Sequence, residues 1–203
     1  MVSDAPYRRL LTGFNVFRAK TYGRRPEFAR AIAAGQSPKV MVIACSDSRV
    51  DPALLTDAEP GELFVVRNVA NIVPPHMQGT GFRSTSAAIE FAVRQLKVEH
   101  LVVLGHSSCG GIQAFMQGGS HVKDSDHLAP WISILDPIRG SAVDASEVEQ
   151  AGVRLSVENL RTFPWVREAE AARRLRLHGL WFNLDQGALW EMSGDGGRFG
   201  KVA

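Results

Sequence analysis

The 203-residue sequence contains only two cysteines, almost no net charge and no long apolar run. Two cysteines cannot build a disulfide framework, so a reducing cytoplasm is the predicted location. The 23 basic and 21 acidic residues leave a net charge of +2, which argues against a nucleic-acid surface. No apolar run approaches the roughly 20 residues of a membrane helix, and the N-terminus lacks the apolar segment of a secretory signal. The sequence therefore predicts neither a nucleic-acid partner nor a membrane partner.

Short apolar runs alternate with helical stretches along the chain. Strands are predicted at Val40–Ala44, Leu63–Asn68 and Leu101–Gly105, because continuous Val, Ile and Leu runs are typical of parallel strands buried on both faces. Helices are predicted near Thr85–Gln95, from about Ser108, near Val148–Arg161 and near Trp165–Arg173. A C-terminal hairpin is predicted from Leu175–Asn183 and Ala188–Met192. The predicted fold class is α/β, with a central, mostly parallel sheet flanked by helices and an antiparallel edge. Residues 117–147 are predicted to be mainly loop.

The N-terminal region has the pattern of a helical arm. Residues 7–25 are rich in arginine and contain no acidic residue. Apolar side chains recur in this stretch, at Leu10, Leu11, Phe14 and Phe17. An amphipathic arm that packs against a partner subunit accounts for this pattern. The predicted organisation is an arm over residues 1–35 and a catalytic α/β domain over residues 36–203, within a single domain overall.

Each cysteine follows one of the buried strands. Cys45 comes directly after the first strand, and His106 and Cys109 follow the third. Ligands bind beyond the carboxyl ends of the strands in an open α/β sheet, so both segments lie at the edge where a site is expected. His106 and Cys109, three residues apart at a strand-to-helix turn, can face the same atom, and Cys45 can complete the set from the neighbouring strand. Two thiols and one imidazole are the protein ligands of a catalytic zinc site with one open position.

Three other roles compete with zinc binding for the cysteines and the histidine. An isolated cysteine is most often a buried small hydrophobe, and a lone histidine is most often structural. A redox pair would have two residues between the thiols, and that spacing is absent. A cysteine phosphatase would use Cys45 with Arg49, but only three residues separate them and the loop is not glycine-rich. The spacing favours zinc.

The sequence resembles the β-class carbonic anhydrases, most densely over residues 36–116. The resemblance is carried by four motifs, Cys45-Ser-Asp-Ser-Arg49, Pro60-Gly-Glu, Val66-Arg-Asn-Val-Ala-Asn71 and Gly105-His-x-x-Cys-Gly-Gly111. It implies one Zn²⁺ per subunit, held by Cys45, His106 and Cys109. It also implies a carbonate dehydratase, a lyase in which zinc-bound hydroxide reversibly converts carbon dioxide to bicarbonate and a proton. Asp47 and Arg49 would be the catalytic dyad, with Arg49 holding the carboxylate of Asp47 in place.

The same resemblance implies the residues that contact the substrate. Gln36 matches a glutamine that hydrogen-bonds a substrate oxygen, and the backbone amide of Gly110 is a further expected contact. Phe64, Val69 and Phe91 match positions that line an apolar carbon dioxide pocket, partly from the opposite subunit. Plain core packing is the alternative for each of these apolar residues.

The resemblance also predicts the branch of the family and the assembly. Some bacterial members carry a tryptophan three residues before the first zinc cysteine, tied to an inactive state induced by bicarbonate. Val42 stands at that position here, so the plant-like, open-site branch is predicted. The family assembles as homodimers or as dimers of dimers, and its substrate is a small molecule. A related zinc hydrolase acting on carbon disulfide or carbonyl sulfide is the alternative activity, and a zinc-stabilised scaffold without activity is a third possibility.

Overall fold

A computed structural model describes residues 2–79, 83–118, 125–142, 144–194 and 197–202. Contacts divide the chain into two compact units, Met1–Ser37 and Pro38–Ala203. The first unit contains helix α1 (Ala5–Phe17), which continues as a π-helical turn over Arg18–Tyr22, and helix α2 (Pro26–Ala33). The apolar side chains of α1 are exposed, and none of its residues is buried. This unit is helical, as predicted.

The second unit is built on one mixed sheet. Its strands among the described residues are β1 (Val40–Cys45), β2 (Leu63–Asn68), β3 (His100–His106), β4 (Arg176–Asn183), β5 (Ala188–Met192) and β6 (Phe199–Lys201). They lie in the order β2-β1-β3-β4-β5-β6. The first four strands in this order are parallel to one another, whereas β5 and β6 are antiparallel to the strands beside them. The predicted parallel sheet, its antiparallel edge and the C-terminal hairpin are confirmed.

Helices cover the sheet and close the core. The remaining helices are α3 (Pro52–Thr56), α4 (Ser84–Glu90, continued by a π-helical segment over Phe91–Leu96), α5 (Gly110–Met116), α6 (Leu128–Ile132), α7 (Ala145–Leu160) and α8 (Pro164–Ala171). The main core joins Met41 and Ile43 of β1 with Leu101 of β3 and with Val153 and Leu160 of α7. These central strands are buried because helices pack against them, which explains their continuous apolar sequence. No helix of the described residues is long and apolar enough to span a membrane.

Two features differ from the sequence prediction. The described part of residues 117–147 contains α6, a 3₁₀ segment over Ser133–Ile138 and the beginning of α7, so it is more regular than the predicted loop. Residues 119–124 and 143 lie outside the described residues. The third strand of the antiparallel edge, β6, was not predicted, because a three-residue strand that contains glycine has almost no periodic signal.

Candidate metal centre

The three predicted zinc ligands converge at the carboxyl edge of the sheet. Cys45 is the last residue of β1, His106 is the last residue of β3, and Cys109 immediately precedes α5. Because β1 and β3 are neighbours in the sheet, their ends bring the two motifs together. One ligand atom from each of the three buried residues lies within 4.8 Å of the others. The three predicted ligands therefore form one buried cluster that could hold a metal ion.

The distance between the two sulfur atoms fits a zinc ion. The Sγ atoms of Cys45 and Cys109 are 3.9 Å apart, and both cysteines are free. A disulfide would bring them to about 2.0 Å. In a tetrahedron with Zn–S bonds of about 2.3 Å, two sulfur ligands lie about 3.8 Å apart. The separation between the two sulfurs is thus close to that of two sulfur ligands of one metal.

His106 presents an imidazole nitrogen suited to metal binding. Its Nδ1 lies 2.8 Å from the carbonyl oxygen of Ser107, which can only accept, so Nδ1 carries the hydrogen. In the neutral ring the lone pair is then on Nε2. That atom is buried and has no partner at hydrogen-bonding geometry among the described residues, although the ring is close enough to the Cys45 sulfur to lower the pKa of that thiol. Buried polar atoms are rarely left unpaired, and a metal at this position would satisfy Nε2.

The two thiols favour a cation between them. The hydrogen bond from Cys109 lowers the pKa of Cys45 to about 4, with smaller contributions from His106 and the Asp47 backbone amide, while burial opposes the shift. Once Cys45 is a thiolate, its hydrogen bond with Cys109 and burial raise the pKa of Cys109 far above the usual thiol range. The pair alone therefore holds one proton strongly. A divalent cation that contacts both sulfurs can replace that proton, because a metal ligand must be a thiolate.

Asp47 and Arg49 form a tight pair beside the ligands. Arg49 donates from Nε to Oδ1 of Asp47 at 2.9 Å and from a terminal nitrogen to Oδ2 at 2.7 Å. The same terminal nitrogen also donates to the carbonyl oxygen of Ser108 at 3.1 Å, so Arg49 joins the two metal-binding loops. The backbone amide of Asp47 contacts the sulfur of Cys45 at 3.4 Å. The Arg49 hydrogen bonds hold the pKa of Asp47 well below its usual range, so this carboxylate is ionised at neutral pH.

Arg67, a residue with no predicted role, fixes the first metal-binding loop. Arg67 lies on β2 and donates to the carbonyl oxygens of Cys45 at 2.9 Å and Asp47 at 2.6 Å. It also forms an ion pair with Asp51 at 3.1 Å. Arg67 belongs to one of the recognised motifs, but only the strand pairing shows which loop its side chain reaches.

A buried glutamate, also absent from the prediction, supports the second loop. Glu149 on α7 is 3% exposed. One carboxylate oxygen accepts the backbone N–H of Cys109, and the other accepts the indole N–H of Trp181, both at 3.2 Å. Burial raises the pKa of Glu149, although these hydrogen bonds oppose the shift. The sequence signal for Glu149 is its position among the residues of α7 that face the core. An acidic residue at such a position is almost never fully buried without a partner.

The predicted substrate residues are only partly brought together. The rings of Phe64 and Phe91 are in contact, with centroids 5.8 Å apart, and Phe91 is 44% exposed. Val69 borders an apolar cavity of about 340 Å³ with neighbours from β2, α4 and α6. Gly110 is the exposed first residue of α5. Gln36 is exposed in the N-terminal unit. The substrate contacts of all five residues stay predictions.

A glycine pair in the second motif provides a test of local packing. A Cβ atom at Gly111 would lie 2.8 Å from the Cβ of Ala70 and 2.9 Å from a methyl carbon of Val69, whereas one at Gly110 would meet nothing within 4 Å. We expect Gly111→Ala to lower the free energy of unfolding by about 1–3 kcal/mol, because overpacking forces neighbouring groups to move. Gly110→Ala is the matched control and should change it by less than about 1 kcal/mol. Urea unfolding of both variants measures the difference, and equal stabilities would contradict the close packing.

Comparison with known proteins identifies relatives of this chain. A family profile described as "Carbonic anhydrase" matches residues 40–189, which include both cysteine motifs. The chain is 36% identical over 200 residues to "Beta carbonic anhydrase 6, mitochondrial" of Arabidopsis thaliana, covering 92% of this chain and 68% of that protein. Its fold is similar to that of the β-carbonic anhydrase CcaA, with a TM-score of 0.88, 28% identity and coverage of 97% of this chain and 99% of the other. It is also similar to tetrameric β-carbonic anhydrases of Sordaria macrospora, with a TM-score of 0.82, 30% identity and coverage of 98% and 100%.

Proposed function

Since this chain belongs to the β-carbonic anhydrase family, we propose that it acts as a carbonate dehydratase at the site formed by Cys45, His106 and Cys109. The protein is a zinc-dependent lyase that interconverts carbon dioxide and water with bicarbonate and a proton. The observation that carries this function is the convergence of three buried ligand atoms within 4.8 Å, one of them an unpaired imidazole nitrogen. These residues fit Zn²⁺, the cofactor of the family.

Zinc, when bound, supplies hydroxide near neutral pH by lowering the pKa of water. The protein holds the metal with two thiolates and one neutral imidazole. The two sulfur charges offset the charge of the cation, so this ligand set acidifies water less than three neutral histidines would. The consequence is an activity that rises toward alkaline pH.

Asp47 supplies orientation next to the ligands. It is an acceptor only, because Arg49 keeps it ionised, and it can therefore receive a hydrogen bond from the attacking group and fix its direction. Arg49 restrains the carboxylate through two hydrogen bonds and is itself held by Ser108. Both oxygens of Asp47 are engaged by Arg49, which supports the open-site branch, as does Val42.

The remaining predicted residues complete the proposed substrate site. Phe64, Val69 and Phe91 would surround carbon dioxide, which is apolar and gains from leaving water. The side-chain amide of Gln36 and the backbone amide of Gly110 would donate to its oxygens. The exposure of Phe91 and Val69 in a single chain supports a pocket completed by a second subunit.

The proposed assembly is a homo-oligomer, either a dimer or a dimer of dimers. The solved Sordaria relatives are tetramers. Large apolar side chains are exposed on α1, including Leu10 at 70% and Phe14 at 59%, and such a surface is typical of an interface. Sedimentation velocity tests the proposal, and a monomer at micromolar concentration would contradict it.

The cytoplasm is the proposed location, because both thiols must stay reduced to bind metal. Cell fractionation tests this proposal. Recovery of the protein in an organelle or outside the cell would contradict it.

Stopped-flow carbon dioxide hydration by the zinc-loaded protein tests the function. We expect a rate that increases from neutral to alkaline pH and shows no cooperative loss on addition of bicarbonate. Titration of Asp47 does not change the hydration rate in this pH range, because its lowered pKa leaves the carboxylate ionised throughout. A rate that is flat from acid to neutral pH would contradict the two-thiolate argument. If the protein does not hydrate carbon dioxide but rapidly hydrolyses carbon disulfide or carbonyl sulfide, the alternative activity is supported instead.

A further inference from the structure

A cationic cavity lies at the end of the sheet opposite the metal centre. Its volume is about 590 Å³, and it is found where the parallel strands β1, β3 and β4 begin. The basic side chains that line it are Lys39, Lys97, Arg173, Arg174 and Arg176. Strand β3 runs seven residues from this cavity to His106, so the two sites are about 20 Å apart. The basic cavity is therefore separate from the reaction site.

The basic cavity concentrates more positive charge than the whole chain carries. Its lining contains five lysines and arginines and one acidic side chain, Glu99, so the formal charge of the lining is +4 against +2 for the full sequence. Two further glutamates line the neighbouring cavity beside Arg173 and Arg176: Glu170 is paired with Arg161, and Glu191 lies 3.7 Å from His178. Glu99 is engaged by Lys39 at 2.7 Å. The other four basic side chains form no ion pair or side-chain hydrogen bond with any residue that the structure describes. Their charge is available to a ligand.

Nearby helix ends do not balance this charge. The helix that starts with α4 ends at Leu96, just before Lys97, and α8 ends shortly before Arg173. A helix C-terminus carries only about half an elementary negative charge. Two such ends would therefore leave roughly three of the four positive charges uncompensated.

The base of the cavity is formed by the hydrophobic core. Its apolar lining consists of buried side chains that belong to the main core, Val93, Val98, Ala169 and Leu175. Backbone bonds join the starts of the strands, from the amide of His100 to the carbonyl of Lys39 and from the amide of Arg176 to the carbonyl of Glu99. The segments that carry the basic side chains are thus fixed relative to one another, which reduces the ordering cost of binding.

We infer that the basic cavity binds a small, multiply charged anion of the phosphate class. Three of its four unpaired cations are arginines, whose planar donor groups match phosphate oxygens in pairs. The volume is in the range of small-molecule sites. Bicarbonate, the product of the reaction, carries one charge and would leave most of the local charge unbalanced. This inference does not depend on the proposed function.

Isothermal titration of the zinc-loaded protein with pyrophosphate tests the inference. We expect one saturable site per chain, weakened by added salt because the contacts are ionic. Arg174→Gln and Arg176→Gln should each weaken binding about tenfold, since each removes charge-assisted hydrogen bonds. Arg167→Gln is the matched control, because Arg167 is exposed on α8 outside the cavity. The three arginines are exposed, so thermal melts should show folded variants.

Zinc content is measured before and after each titration, so that removal of the metal by pyrophosphate is recognised. The inference is overturned by the absence of saturable binding, or by equal weakening in Arg167→Gln, which would show a general charge effect. Binding of RNA or anionic vesicles without binding of pyrophosphate would also overturn it and would assign the surface to a macromolecule.

Discussion

Cys109→Ser is expected to abolish zinc binding and to reduce carbon dioxide hydration by roughly a thousandfold or more, because the site then lacks the metal that supplies hydroxide. A serine hydroxyl does not ionise near neutral pH, so the thiolate that balances the cation is lost. The Sγ of Cys109 lies 3.9 Å from that of Cys45, and the residue is 1% exposed. Zinc content after dialysis and stopped-flow hydration measure the two effects in one preparation.

Two further variants sharpen this test. Cys45→Ser should give the same result, because the sulfurs act as a pair. Gln113→Ala, an exposed substitution on the adjacent helix α5, should keep both zinc and activity. Full zinc occupancy with unchanged hydration in either serine variant would disprove the assigned ligand set.

Asp47→Asn is expected to leave zinc in place and to lower the hydration rate about 100-fold, within the usual range for a positioned acid–base group. The amide cannot act as an anionic acceptor, and it also loses the charged pair with Arg49. Arg49→Gln should reduce the rate less, roughly tenfold, because the carboxylate remains but is no longer fixed. It should also raise the pKa of Asp47 toward the ordinary value, since the Arg49 hydrogen bonds are the main cause of its depression. At neutral pH the carboxylate would still be ionised, so the loss of rate there does not come from protonation of Asp47.

Arg49→Lys separates charge from geometry. Lysine keeps the positive charge but cannot reproduce the two parallel hydrogen bonds, so its rate should stay close to that of Arg49→Gln. The pH–rate profile and the zinc content are measured for all three variants. Wild-type activity in Asp47→Asn would remove the dyad from the mechanism, and loss of zinc would make Asp47 a structural residue.

The zinc ligands could be predicted because their signals are local. The apolar runs of β1 and β3 each end directly at a ligand residue, Cys45 and His106. The pairing of these strands follows from general rules for parallel sheets, so the convergence of Cys45 and His106 needs no further information.

Helix α6 is not predicted from the sequence, because it has only five residues and contains Pro130, which interrupts a periodic pattern.

The partners of the residues that support the metal-binding loops could not be predicted from the sequence. Glu149 meets the amide of Cys109 across 40 positions of sequence, and Arg67 reaches the carbonyl of Cys45 across 22. No local pattern encodes such a pairing, because it depends on how α7 and β2 pack against the loops. The substrate residues are harder still, since part of their surroundings belongs to a second subunit in the proposed assembly.

The support from α7 makes the metal centre depend on residues that are far apart in the chain. The two sulfurs are 64 positions apart, and the amide of Cys109 donates to Glu149, 40 positions further along. A nascent chain that ends before α7 would present both thiols without the arrangement that selects zinc. Metal binding to the finished site draws the equilibrium toward the native state. Scarcity of zinc would therefore abolish the activity of the protein and also shorten its lifetime in the cell. The abundance of the protein would then follow the supply of zinc.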